Sequence, residues 1–350
     1  MAKFIMLQGT ASHVGKSILT AALCRIFFQQ GKIVAPFKAQ QMALNSFVTA
    51  DGLEMGRAQV VQAEAANIPP RVEMNPVLLK PTGNQTSQVI INGKPVGVMS
   101  AAEYHTGYSL KAFDAVKAAL AKLSAEFDTI VIEGAGSPAE VNLKANDIVN
   151  MRVAKYLNAP VILVADIDRG GALAAVVGTL ELLDADERDL VKAIVINKFR
   201  GDINLFTPAV DFLEAKTGKP VLGVLPYIDR LGIDDEDSVS LDDKISAGGE
   251  VNIGVIRLNK ISNFTDFDSL DGEPDVQLIY ATMPSELDDA DLIILPGSKN
   301  TSADLQKLRA EGFDQEIRRR LNEGAALIGI CGGYQMLGEK IFSVCQPYCK

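Results

Sequence analysis

The chain has 350 residues, 47% of them hydrophobic and 22% charged, ordinary values for a globular protein of about two domains. Its 44 acidic residues outnumber 34 basic ones, a net charge of −10 that argues against a nucleic-acid partner. No apolar run approaches the ~18 residues of a membrane span, and Phe4–Leu7 is too short for a signal segment, so a cytoplasmic protein is expected, with no membrane partner.

Short apolar runs alternate with helical patterns, which reads as α/β with a parallel sheet. Phe4–Leu7 is the first expected strand. A helix follows over 17–30, with Leu19, Leu23, Ile26 and Phe27 on one face and Gly31 as its stop. Ile33–Phe37 is a second strand, with Pro36 pointing to an edge or a strand end. Further strands are expected over 129–132, 161–165, 193–196 and 221–225, with helices over 110–123 and 171–183 between them. Acidic and small residues then dominate 233–250, which reads as a solvated linker. A second series of strands follows at 252–258, 276–282, 292–295 and 326–330. The expected organisation is therefore a domain over 1–232, the linker, and a second α/β domain over 251–350.

Between the first strand and the first helix stands Gly9-Thr10-Ala-Ser-His13-Val14-Gly15-Lys16-Ser17. The usual phosphate-binding loop has four residues between its glycines; this one has five. Its backbone N–H groups and the helix N-terminus can still cradle phosphate oxygens, so Gly9, Thr10, Val14, Gly15, Lys16 and Ser17 are the nucleotide-binding candidates. Lys16 can reach the β- and γ-phosphates, and the Ser17 hydroxyl can hold Mg²⁺. Glu133 closes the strand 129–132 and is either a second metal ligand or a solvated strand-end acid. Asp147 is open between a site carboxylate and a helix cap. Asn197 ends the strand 193–196, where such proteins often read the base. His13 reads as a solvent-facing loop residue.

Near the C-terminus, Gly329-Ile-Cys331-Gly332-Gly333 sits between a strand and a helix, the cysteine counterpart of a nucleophile elbow. A strained turn exposes the sulfur, and a helix N-terminus favours its thiolate. The N–H of Gly332 points to an oxyanion role, with Gly297 of the turn Pro296-Gly297-Ser298 as second donor. The remaining cysteines are Cys24, in the first helix, and Cys345 and Cys349, which read as tail residues. They make no disulfide framework.

The Gly9–Ser17 loop resembles that of dethiobiotin synthetase and related P-loop ligases. The stretches Pro36–Ser46, Glu54–Ala65, Met74–Pro81, Asp166–Gly171 and Pro296–Thr301 closely resemble the cobyric acid synthase family, and the likeness runs from about residue 3 to about residue 341. That resemblance implies a P-loop NTPase-type sheet followed by an incomplete class I glutamine amidotransferase-like domain. It also implies ATP and Mg²⁺, a corrinoid substrate, and glutamine or ammonia as nitrogen donor. The implied reaction is amidation of the b, d, e and g carboxylates of adenosylcobyrinic acid a,c-diamide. By the same resemblance Lys16, Ser17 and Glu133 match nucleotide and metal positions. Glu54 matches the second Mg²⁺ carboxylate, with Asp51 as the fallback. Asp147 falls in a matching segment, Lys38 and Lys80 are cations suited to an acyl phosphate or a corrin carboxylate, Asn197 matches an adenine reader and Cys331 the glutaminase nucleophile.

The family pairs that cysteine with a His and a Glu lying well downstream. Here 19 residues follow Cys331 (331 to 350), and His13 and His105, the two histidines of the chain, both precede it. A truncated chain with an inactive glutaminase half is the expectation. Two other readings compete: a ligase like cobyrinic acid a,c-diamide synthase, and a P-loop switch ATPase of the septum-site or partition kind. Against the first stand Asn45-Ser46 and Met74-Asn75-Pro76. Against the second stand Thr10 and Ala11, where a signature lysine belongs.

Overall fold

The computed structural model describes residues 2–83, 85–228 and 249–341. The chain divides into two compact units. The first comprises 2–41, Phe47–Leu79 and 89–228; the second comprises Met42–Ser46, Lys80–Gln88 and 249–341. The second unit thus takes two short segments from the region expected to be one continuous domain over 1–232. Hydrogen bonds internal to that unit account for the grouping: the Ser46 N–H donates to Asn263 Oδ1, Asn300 Nδ2 to the Thr82 carbonyl, and Lys299 Nζ to Gln88 Oε1. Of the expected linker only 249 and 250 fall within the described residues, and Cys345 and Cys349 fall outside them.

In the first unit six strands form a parallel sheet in the order Val221–Pro226, Val191–Phe199, Val161–Asp166, Lys3–Gly9, Thr129–Glu133, Val34–Phe37. Neighbouring residues supply opposite faces. Met6, Ile130, Ile132 and Leu163 enter one apolar core, while Leu7, Val131 and Val164 enter the other. A sheet covered on both sides requires near-continuous apolar strands, which is why these runs were readable. Pro36 lies on the edge strand, paired on one side only, where its missing N–H breaks no ladder. The chain runs outward from Lys3–Gly9 first to one side and then to the other. The mouth of the crevice at its C-terminal end is the place where such sheets take ligands.

Residues 40–100 hold what the sequence pattern did not disclose. Strands Gln40–Met42, Val77–Gly83, Thr86–Ile91 and Lys94–Ser100 form a sheet in that order, and Ser46–Val48 pairs with Glu54–Gly56. Pro81, Gly83, Gly93, Pro95 and Gly97 interrupt the period-two alternation there.

The second unit has a parallel sheet in the order Val276–Ala281, Val251–Ile256, Leu292–Leu295, Ala326–Gly329. Its core is separate, with Val255, Ile256, Ile293, Phe264, Phe313 and Met336 among its buried residues. Among the described residues no helix is long and apolar enough to cross a membrane.

Candidate active site

The C-terminal ends of the first unit's strands bring its polar residues together. Gly9 ends the first strand, and the loop turns into the helix Lys16–Gln29. Gly15 caps that helix with φ 96, and a Cβ there would meet Asn197 Nδ2 at 2.2 Å. Only glycine meets both conditions. Lys16 Nζ folds over the loop and donates to the carbonyls of Ala11 (2.9 Å) and Gly136 (3.1 Å). A Cβ on Gly9 would lie 2.8 Å from that ammonium, so the loop is a close-fitting cradle.

Glu133, in register with Leu7 on the neighbouring strand, is the centre of the cluster. Its Oε1 accepts from Ser17 Oγ and from Lys38 Nζ, each at 2.8 Å, and its Oε2 accepts from Gln62 Nε2 at 2.6 Å. The Lys38–Glu133 ion pair is almost wholly out of water, with side chains 5% and 1% exposed. Three donors and one full charge offset the desolvation that such burial costs the carboxylate. Glu133 is therefore a held carboxylate, and the solvated strand-end alternative falls away.

Gln62 carries no expectation from the sequence. It lies on the helix Arg57–Ala65 and also donates to the Ser17 carbonyl at 3.3 Å. The available signal was two amides, Gln59 and Gln62, one turn apart and both buried on a helix with Ala58, Val60 and Ala63. The strand Glu54–Gly56 leads directly into this helix, which puts Glu54 on the same continuous segment. Asp51 instead stitches a turn, accepting from Thr49 Oγ1. Lys80, in the second unit, is buried with its Nζ donating to Ser46 Oγ at 2.9 Å.

Asp147 caps its own loop. Its carboxylate accepts from the N–H groups of Val149 (2.9 Å) and Asn150 (3.2 Å), just before the helix Met151–Leu157. Burial outweighs those bonds and raises its pKa above the ordinary aspartate value. Asn150 Nδ2 in turn donates to the Ala135 carbonyl at 2.7 Å, tying this loop to the residues after Glu133. Asn197 donates through Nδ2 to the Val14 carbonyl at 2.8 Å, which leaves Oδ1 as the face suited to an exocyclic amine.

A metal at this site would find Ser17 Oγ and Glu133 Oε1 2.8 Å apart. Among the described residues no three His, Cys, Asp or Glu side chains gather as a metal cage. One hydroxyl and one carboxylate fit Mg²⁺, which keeps waters and takes phosphate oxygens rather than an all-protein shell.

In the second unit Cys331 stands between the strand Ala326–Gly329 and the short helix Gly332–Met336 with φ 48 and ψ −108. The turn is this sharp because the backbone that follows is pressed against the sheet. A Cβ on Gly333 would lie 2.0 Å from the Leu295 carbonyl oxygen. Cys331 is the exposed free thiol among the described residues; Cys24 is buried, and burial with the Glu133 charge pushes its thiol up to about 12. The helix after Cys331 has only five residues, so the turn itself presents the sulfur.

Gly297, expected as the second oxyanion donor, lies in a short strand pairing. Gly297–Ser298 pairs antiparallel with Ile261–Ser262, and the Lys299 N–H donates to the Lys260 carbonyl at 3.0 Å. Antiparallel ladders alternate bonded and non-bonded pairs, so Gly297 faces Ser262 as a bonded pair and its N–H is turned to the ladder. Ser298 faces Ile261 as a non-bonded pair, so its N–H is not taken by the ladder, and its nitrogen lies 2.8 Å from where a Cβ on Gly332 would stand.

Two protein-family models match the chain: one described as an AAA domain over 3–233 and one described as a CobB/CobQ-like glutamine amidotransferase domain over 252–346. The chain is 60% identical to the cobyric acid synthase of Moorella thermoacetica, over 97% of this chain and 66% of that protein. It is 61% identical to that of Pelotomaculum thermopropionicum, over 98% and 66%. To that of Carboxydothermus hydrogenoformans it is 61% identical, over 97% and 69%. The chain thus spans about two thirds of the length of these relatives.

Proposed function

The chain belongs to the cobyric acid synthase family, and on that footing we propose that it is the ATP-dependent part of an amidoligase acting on a corrinoid. The substrate is adenosylcobyrinic acid a,c-diamide, and the groups converted are its b, d, e and g carboxylates. The observation that carries this reading is the Lys38–Glu133–Ser17 cluster at the mouth of the phosphate loop. A carboxylate, a hydroxyl and a cation gathered beside that loop suit a γ-phosphoryl group and its acceptor, which supports the reading.

A substrate carboxylate oxygen attacks the γ-phosphorus of ATP. The bond to the β-bridging oxygen breaks, leaving ADP and an acyl phosphate. Ammonia then attacks the acyl carbon, the bond to the phosphate oxygen breaks, and the proton lost by nitrogen leaves with inorganic phosphate as the carboxamide forms. Loop N–H groups and Lys16 hold the β- and γ-phosphates, and Lys38 offsets the charge that develops on the transferred group. Ser17 and Glu133, with Glu54 as a further carboxylate, are the residues that would hold Mg²⁺, which supplies charge neutralisation of the phosphates. Asn197 Oδ1 accepts from the adenine amine. Asp147 serves by fixing the loop behind Glu133. Nitrogen comes from free ammonia or from glutamine through a thioester on Cys331, whose oxyanion would be met by the N–H groups of Gly332 and Ser298.

The test is ADP release by the purified chain with Mg-ATP and an ammonium salt. Release that rises with adenosylcobyrinic acid a,c-diamide, with carboxamides appearing in the corrinoid, is the expected result. An equal response to cobyrinic acid would overturn the substrate choice in favour of the a,c-diamide synthase reaction. ATP turnover that ignores corrinoids and answers only to a partner protein would overturn the ligase reading.

A further inference from the structure

The outer side of the phosphate loop is gripped by Lys198, Asp166 and Asn197, and of these the proposed chemistry uses only Asn197. Lys198 Nζ donates to the His13 carbonyl at 2.7 Å and pairs with Asp166 Oδ2 at 2.9 Å. Its neighbour Asn197 takes the next carbonyl of the loop, Val14, at 2.8 Å. Both grips come from the strand Val191–Phe199, and Asp166 ends the strand beside it.

Peptide planarity gives these bonds a consequence on the other side of the loop. In a trans peptide the carbonyl of one residue and the N–H of the next point in opposite directions. Holding the His13 and Val14 carbonyls toward the strand therefore turns the N–H groups of Val14 and Gly15 away from it. Those are among the donors a phosphate cradle needs, and a cradle that is already oriented avoids an ordering cost on binding. The backbone shows that the grip is not relaxed: His13 and Lys198 both sit at φ 60, a left-handed conformation that neither side chain favours. Such strain persists where surrounding bonds over-determine it. At Lys198 the Asp166 charge and the His13 carbonyl do so together. The role of His13 in this arrangement lies in its backbone, not its imidazole.

We infer that Lys198, anchored by Asp166, is a positioning residue that presets the loop N–H groups for the β-phosphate of the nucleotide. The inference rests on the nucleotide-binding reading above and deepens it. It separates the phosphate end of the ligand from the base end. Loss of the grip should weaken nucleotides that carry a β-phosphate and spare one that does not.

Calorimetric titration of the full chain with ATP, ADP and AMP tests this without turnover. Lys198→Ala should weaken ATP and ADP about tenfold, the order set by one charge-assisted hydrogen bond, and leave AMP unchanged. Lys198→Arg keeps a cation that can reach both partners and should restore most of the loss. Should Lys198→Ala melt early, Asp166→Asn removes the anchor charge and leaves the lysine, and the same selective loss is expected. Wild-type affinity for ATP in Lys198→Ala, or an equal loss for AMP, would overturn the inference. A wild-type chain that takes up no nucleotide, with Lys16→Ala no different, would overturn the nucleotide reading and this inference with it.

Discussion

Glu133 and Cys331 both stand at the C-terminal ends of parallel strands, and the protein holds them by different means. Glu133 is out of water and its orientation is set by partners: Ser17, Lys38 and Gln62 each donate to it. Cys331 is exposed, and its orientation is set by the main chain, at φ 48 and ψ −108 with the following residues pressed on Leu295. A buried charge must be surrounded by compensating groups, so the first centre is assembled from four separated stretches of sequence, around Ser17, Lys38, Gln62 and Glu133. An exposed thiol needs no such compensation, so the second is written into a few consecutive residues. The first centre should therefore be sensitive to the loss of any one charge, and the second to backbone freedom.

The largest expected effect is at the loop lysine. Lys16→Ala removes the cation that folds over the phosphate cradle and should lower ATP consumption, with corrinoid and ammonium present, by about 10³-fold, the scale of removing one oriented charge-stabilising donor. Unchanged consumption would mean that the Glu133 region, however well ordered, is not where ATP is used.

Next comes the buried pair. Lys38→Met leaves the Glu133 carboxylate without its counter-charge and should cost about 3–5 kcal/mol in denaturant unfolding of the first unit. Adding Glu133→Gln to that variant should recover a large part of the loss, because the uncompensated charge is then gone. Strict additivity in this double-mutant cycle would show that the two side chains do not support one another and would dissolve the contrast with Cys331.

The same contrast predicts an inversion at Cys331. Alanine ordinarily exceeds glycine in stability, since glycine loses more freedom on folding. At a left-handed position the order reverses. Cys331→Gly should be more stable than Cys331→Ala by about 1 kcal/mol, read as the unfolding midpoint of the second unit. The ordinary order would mean that the turn is not strained.

What could be read beforehand follows the same division. The elbow and the phosphate loop are local, with glycine spacing as their signal, and both were legible. The parallel strands were legible because Thr129–Ile132 or Val161–Ala165 must be apolar on both faces. The Glu133 cluster was only partly so: Ser17, Lys38 and Glu133 were expected, whereas Gln62 is one glutamine among several and, outside that cluster, Lys198 is one lysine among many. Their roles depend on which strands lie side by side, and the sheet order is not a property of any local window. Gly297 illustrates the limit at the scale of one residue, since its pairing with Ser262 decides whether its own N–H is taken by the ladder.

The smallest effect concerns one carboxyl in each unit. Burial raises the pKa of Asp147 in the first and of Asp304 in the second, where Ser298 Oγ donates to it at 2.6 Å. A raised carboxyl holds its proton more tightly in the folded than in the unfolded chain. Its contribution to stability is thus complete below the ordinary aspartate value and is lost as pH rises through the folded value. Asp147→Asn keeps an acceptor for the Val149 and Asn150 N–H groups and removes the charge. The unfolding midpoint of the first unit should then no longer fall across that window, while the second unit behaves as before. Asp304→Asn should flatten the second unit's profile alone. If Asp147→Asn instead leaves the pH profile of stability untouched and removes ATP consumption, the carboxylate is acting on the reacting groups and not as the cap of its loop.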